Sequence, residues 1–162
     1  MFSRGGQDRQ PAGAAEGGTR NRLGGIPVTK PPYANLVAIN LNKGEIAWRV
    51  PFGEGSPALR RNPLLKGVKL PDRLGTPGSP GLLVTKGGLV FIGSGEPYLY
   101  AFDKATGREV WRVPTPLRTS ANPMTYKARS GRQFVVIATG AGPDASLVAF
   151  ALRPQQPTAV PR

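Results

Sequence analysis

Cysteine and histidine are both absent from the 162 residues. Without cysteine there is no disulfide and no thiolate metal site, and thiols say nothing of the compartment. Without histidine there is no imidazole ligand for a metal and no histidine general base. Carboxylates are scarce: 9 Asp and Glu face 22 Lys and Arg, for a formal net charge of +13. Long apolar runs are missing too. None approaches the roughly 20 residues of a membrane-spanning helix, and the first 25 residues lack the apolar core of a signal peptide. No stretch shows sustained helical spacing of apolar residues.

What the chain does have is punctuation. Its 22 glycines and 18 prolines argue for many short strands joined by turns. Residues 1–29 are rich in Gly, Arg and Gln and poor in apolar side chains. Such a segment cannot bury enough surface to offset its ordering entropy, so disorder is expected there and in the proline-rich tail 153–162. A basic surface attracts nucleic acid, anionic lipid or acidic partners. The tightest basic cluster is Arg60, Arg61, Lys66, Lys69 and Arg73, in a segment that also holds Pro63 and Pro71. No aromatic residue is interleaved there, so the stacking platform of a single-strand binder is lacking. The cluster reads as a solvated loop, and no nucleic-acid partner is expected.

Between the termini the pattern is β. Leu89-Val90-Phe91-Ile92 and Phe134-Val135-Val136-Ile137 are short apolar runs bounded by glycine, suited to strands buried on both faces. An internal repeat sets the architecture. One copy runs from Leu36 to Pro51 and includes Ala38, Asn40, Gly44 and Trp48. The second runs from Leu99 to Pro114 and includes Ala101, Asp103, Thr106, Gly107 and Trp111. Gly44 and Gly107 are separated by 63 residues, as are Trp48 and Trp111. A degenerate third copy, Leu147 to Leu152, aligns Ala149 with Ala101 at a spacing of 48. Propeller blades repeat at roughly 40–50 residues. The longer spacing therefore implies one blade plus an insertion, which falls on the basic loop 58–75.

The repeat has a physical logic. Alternation along Leu-x-Ala-x-Asp suits a strand with a small residue facing a close neighbour. Asp103, or Asn40, opens the turn by accepting hydrogen bonds from backbone amides. Gly107, or Gly44, takes the positive-φ position. Four residues after the glycine, Trp111 or Trp48 lands on the returning strand, where its ring can cover the joint between blades.

The pattern Ala101-x-Asp103-x-x-Thr106-Gly107-x-x-x-Trp111 resembles the tryptophan-docking motif of dehydrogenases that use pyrroloquinoline quinone (PQQ). Leu83 to Gly93 looks like the opening strands of a late blade in that family. Asn122-Pro123-Met124-Thr125-Tyr126 with Gly131 to Ala138 looks like its final blade. The resemblance covers about residues 27–152 and is greatest to the membrane glucose-dehydrogenase-like branch. It implies an all-β fold: two to three four-stranded antiparallel blades of an eight-bladed β-propeller parent, with disordered termini. Residues 30–57 would end one blade, 76–116 would form the next, and 117–152 a final incomplete one. The fourth strand of that last blade would come from the missing N-terminal blades of the same protein, leaving 147–152 as an open edge.

The resemblance also implies chemistry for the parent: oxidation of a sugar or alcohol by hydride transfer to PQQ beside a Ca²⁺ ion, with electrons passed to a quinone or cytochrome c. The parent would be periplasmic or membrane-associated. Its catalytic aspartate and calcium-binding acids would lie upstream, so no catalytic or metal-binding residue is expected here, and the chain alone should be inactive. Two loops of this chain correspond to loops that reach the family's cofactor channel. One places Ser79 where alcohol dehydrogenases carry a Trp under the cofactor. The other is Gly140, Ala141, Gly142 and Asp144; the histidine that glucose dehydrogenases place near Gly142 and the Trp that methanol dehydrogenases place near Asp144 are not present. Taken by itself, Gly140-Ala141-Gly142 lacks the following helix of a phosphate cradle. Asp144 reads either as a solvated turn residue or as a channel-facing contact, and Glu96 reads as a plain hairpin-tip residue. The rival function is a non-catalytic scaffold propeller of the outer-membrane assembly type.

Overall fold

The computed structural model describes residues 22–78 and 81–152. Ser79 and the tail 153–162 lie outside the described residues, as does most of the segment 1–29. Strand is the dominant structure. A short hairpin pairs β1 (Arg22–Leu23) with β2 (Ile26–Pro27). A second pairs β3 (Asn35–Asn40) with β4 (Glu45–Pro51). β5 (Leu82–Val84), β6 (Leu89–Gly93), β7 (Tyr98–Asp103) and β8 (Glu109–Pro114) form a four-stranded antiparallel meander. β9 (Met124–Lys127), β10 (Gln133–Thr139) and β11 (Ser146–Phe150) form a three-stranded sheet, and among the described residues β11 pairs only with β10. None of these sheets closes on itself.

The two complete repeat copies have the same local geometry. Ala38 faces Trp48 across β3 and β4, and Ala101 faces Trp111 across β7 and β8. The register slips immediately after each alanine, between Ala38 and Ile39 and between Ala101 and Phe102. Both turns carry their glycine at positive φ, 68° at Gly44 and 72° at Gly107. In one turn the Asn40 side chain accepts from the amides of Asn42 and Lys43. In the other, the Asp103 carboxylate accepts from the amides of Ala105 and Thr106 and from the Thr106 hydroxyl. That carboxylate is held below its ordinary pKa of 3.8, chiefly by the Thr106 side-chain hydrogen bond.

The core lies between the β3–β4 hairpin and one face of the meander. Leu36 and Phe52 pack there against Val90, Ile92, Tyr100 and Phe102, with Trp48, Val50 and Tyr98 at the margin. The Phe52 ring meets Tyr100 and Phe102 edge-on, at centroid distances of 5.6 and 6.0 Å, the preferred geometry for aromatic pairs. Trp48 spans the joint between the sheets. Its indole Nε1 donates to the Lys104 carbonyl at 2.9 Å, in the turn between β7 and β8. A Cβ on Gly107 would lie 2.6 Å from Trp48 Cε3, so glycine serves there both for its φ and for the ring stacked on it.

Trp111 holds the equivalent register but has different surroundings. It meets Phe150 edge-on at 5.8 Å and stays 40% exposed. The reason lies in the third copy, where Ala151 and Gln155 stand at the positions of Asp103 and Gly107. That copy therefore lacks the turn residues on which Trp48 docks in the second.

Two expectations are corrected. Residues 22–27, assigned to a disordered segment, form the β1–β2 hairpin, anchored from afar by Asn62, whose Nδ2 donates to the Gly24 carbonyl at 2.9 Å. The loop 58–75 is more than a solvated insertion. It contains a helical turn α1 (Pro57–Arg60) and a 3-10 turn (Pro63–Leu65), and it buries Leu59 and Leu74. Its basic residues are partly used internally: Arg60 donates to the carbonyls of Glu54, Pro71 and Asp72, and Arg73 pairs with Glu109.

Candidate functional site

Strand direction gathers the candidate loops at one end of the sheets. The connection after β4, the β6–β7 turn (94–97), the connection after β8 (115–123) and the β10–β11 turn (140–145) are tied together there by hydrogen bonds. Arg118, in the connection after β8, links the β10–β11 turn to the β6–β7 turn. Its carbonyl accepts from the Gly140 amide at 2.9 Å, and its Nε donates to the Gly95 carbonyl at 2.6 Å. Thr119 is fully buried beneath, and its hydroxyl reaches the carbonyls of Glu96 and Tyr98. The segment packs so closely that a Cβ on Gly93 would lie 2.6 Å from the Thr119 carbonyl oxygen.

The turn bearing four of the five expected cofactor-lining residues is well defined. Gly140 sits at φ 74°, and a Cβ there would lie 2.7 Å from Leu117 Cδ1 and 2.9 Å from the Asp144 carbonyl oxygen. Gly142 sits at φ 61° and opens a 3-10 turn over Gly142–Asp144, with nothing within 4 Å of its missing side chain. Ala141, Gly142 and Asp144 are exposed. Thus the structure brings Gly140, Ala141, Gly142 and Asp144 together beside Gly95 and Arg118. Ser79 lies outside the described residues; Gly81, two positions on, abuts the Asn122 side chain.

Glu96 is the residue that the sequence reading missed. Its carboxylate is half-buried and accepts from five groups: the amides of Glu54 at 2.9 Å and Gly55 at 3.1 Å, the hydroxyls of Thr76 and Ser94, and Tyr100 Oη at 3.0 Å. It joins both ends of the 52–76 connection to the meander. Burial, then the Glu96 charge, pushes the Tyr100 phenol above its ordinary value, so it stays a neutral donor. Glu54 in turn pairs with Arg112 and raises that guanidinium's pKa. One signal was available: an acid immediately after Ser94-Gly95, in a chain with so few acids. Its partners, 20 and 42 residues away, are not visible in a linear pattern.

Among the described residues, no three His, Cys, Asp or Glu side chains converge on a point. They do not fit a calcium site, and no reaction step is assigned to them. They supply instead a tight glycine turn, Gly140–Asp144, tied through Arg118 to Gly95.

Comparison with known proteins now decides the family. The model for the PQQ glucose/ethanol/alcohol dehydrogenase β-propeller domain matches residues 3–135. The chain belongs to the PQQ-dependent dehydrogenase family. It is 43% identical over 118 residues to the Probable quinate dehydrogenase (quinone) of Xanthomonas campestris pv. juglandis, covering 72% of this chain and 15% of that protein. It is 32% identical over 117 residues to quinoprotein glucose dehydrogenase A of Acinetobacter calcoaceticus, covering 72% and 14%. The crystal structure of quinohemoprotein alcohol dehydrogenase from Comamonas testosteroni superposes with a TM-score of 0.51 at 29% identity, covering 71% of this chain and 14% of that one. The chain thus spans about one seventh of the length of these relatives. Its sheets are the blades of a partial β-propeller.

Proposed function

We propose that this chain forms the last blades of a PQQ-dependent dehydrogenase that oxidises an alcohol or sugar. In this reading the turn Gly140–Asp144 and the loop at Ser79 wall the cofactor chamber of the complete propeller. The carrying observation is the tie from Gly140 through Arg118 to Gly95, which holds the Gly140–Asp144 turn beside the β6–β7 turn of the neighbouring sheet. PQQ, when bound, would supply the electron-accepting quinone, and any calcium beside it would be held by residues of other blades, since the described residues do not fit that ion. The residues of this chain shape and close the chamber rather than move protons. The carboxylate base and calcium ligands lie on other blades, the protein acts on the periplasmic side or at the membrane, and a quinone or cytochrome takes the electrons. In this reading the chain by itself is inactive, because its described sheets close no ring.

A graft tests this reading. Residues 22–152 replace the matching segment of the quinate dehydrogenase relative, and dye reduction is followed with and without PQQ and Ca²⁺. PQQ-dependent turnover supports the proposal. A folded, monomeric graft without turnover refutes it.

A further inference from the structure

We infer that the tip formed by residues 22–28 and 61–69 is a docking surface for an anionic phospholipid membrane. The two segments are far apart in sequence but form one unit. Asn62 caps the 3-10 turn by accepting from the Leu64 amide at 3.0 Å, and its Nδ2 donates to the Gly24 carbonyl. The Leu64 side chain lies over Gly24, where a Cβ would come within 2.5 Å of Leu64 Cδ1. Arg22 Nη1 donates to the Gly25 carbonyl at 3.1 Å and closes the hairpin.

The outer side of this tip is both apolar and cationic. Leu23 is 77% exposed, Val28 68%, Leu64 67% and Val68 54%. Arg22, Arg61, Lys66 and Lys69 stand among them, all exposed. No Asp or Glu occurs from residue 17 to 44 or from 55 to 71. None of these four cations has a carboxylate partner among the described residues; the ion pairs there involve Arg73 and Arg112. Aliphatic side chains ringed by cations match a headgroup boundary. The leucines and valines enter the apolar edge of the lipid, and the cations meet its phosphates. A nucleic acid would match the charge but offer nothing to the aliphatic groups, and the tip has no aromatic ring on which bases could stack. The inference is independent of the proposed activity.

Co-sedimentation of the full chain with vesicles tests it, using phosphatidylcholine alone or mixed with phosphatidylglycerol. Binding is expected to the mixed vesicles only. Lys66→Glu/Lys69→Glu should weaken it by at least about thirtyfold. Lys127→Glu/Arg129→Glu, at the β9–β10 turn, removes the same net charge and should change binding less than about threefold, since screening confines the effect to nearby groups. Leu64→Ser/Val68→Ser should weaken it roughly tenfold through lost apolar insertion. Circular dichroism confirms that each variant is folded. Equal loss in both charge pairs overturns the inference, because net charge alone would then explain binding. So does equal binding to neutral vesicles, no vesicle binding, or capture by polyglutamate in place of vesicles, which would indicate an acidic protein partner.

Discussion

Substituting alanine for the two turn glycines separates backbone strain from tryptophan docking. Gly44 and Gly107 hold nearly the same φ, 68° and 72°. Alanine at either position suffers the left-handed conformation, about 1 kcal/mol. Gly44 has open space above it, with nothing within 4 Å. At Gly107 the new methyl would lie 2.6 to 3.1 Å from three ring carbons of Trp48, where carbon atoms pack at about 3.5–4.0 Å. The ring cannot yield freely. It packs against the core of Leu36, Phe52 and Tyr100 and donates to the Lys104 carbonyl. Overpacking of this kind costs about 1–3 kcal/mol, and losing the hydrogen bond about 1 kcal/mol. Gly107→Ala should therefore destabilise by about 3–5 kcal/mol and Gly44→Ala by about 1 kcal/mol. Urea unfolding followed by circular dichroism measures both, and a red shift of indole emission in Gly107→Ala reports undocking. In a Trp48→Ala background the difference between the two glycines should vanish. Equal midpoints for Gly44→Ala and Gly107→Ala with Trp48 present would refute this reasoning.

Glu96→Gln should destabilise the chain by about 2–4 kcal/mol in the same assay, because a carboxamide cannot accept all five donors and leaves some of them unsatisfied. The depressed Asp103 pKa gives stability that is present above the unfolded value of 3.8 and lost as pH falls through the lower folded value. Thermal scans from pH 6 to pH 2 should show that Asp103→Asn flattens this acid limb; an unchanged slope would count against the turn assignment. The β11 edge and its exposed Leu147 should make the chain self-associate. Leu147→Lys should lower light scattering and hydrophobic-dye binding, and no change would remove β11 as the cause.

Local, periodic features were legible in the sequence. The repeat located the paired Ala and Trp positions, and the Asn40 and Asp103 turns followed from short-range hydrogen bonding. Strands β6 and β10 fell on their apolar runs. What escaped depends on distant partners. The β1–β2 hairpin has two residues per strand and rests on Asn62, 38 residues from Gly24. Glu96 sits on a turn like any polar residue until Glu54, Gly55 and Thr76 are folded onto it. The target of Trp48 was expected as a blade joint, but only the fold identifies it as the Lys104 carbonyl and Gly107. In the Gly140–Asp144 turn, Gly140 donates to the carbonyl of Arg118, a residue with no motif of its own.

PQQ binding by three forms of the quinate dehydrogenase relative tests the central claim most directly: the relative lacking the matching segment, the graft carrying residues 22–152, and the graft with Gly140→Leu. Fluorescence titration should show no tight binding by the first and restored binding by the second. Binding by the third should weaken, because the new side chain would meet Leu117 and the Asp144 backbone. PQQ binding that ignores both the presence of residues 22–152 and the Gly140→Leu change would contradict the claim that these blades complete the cofactor chamber.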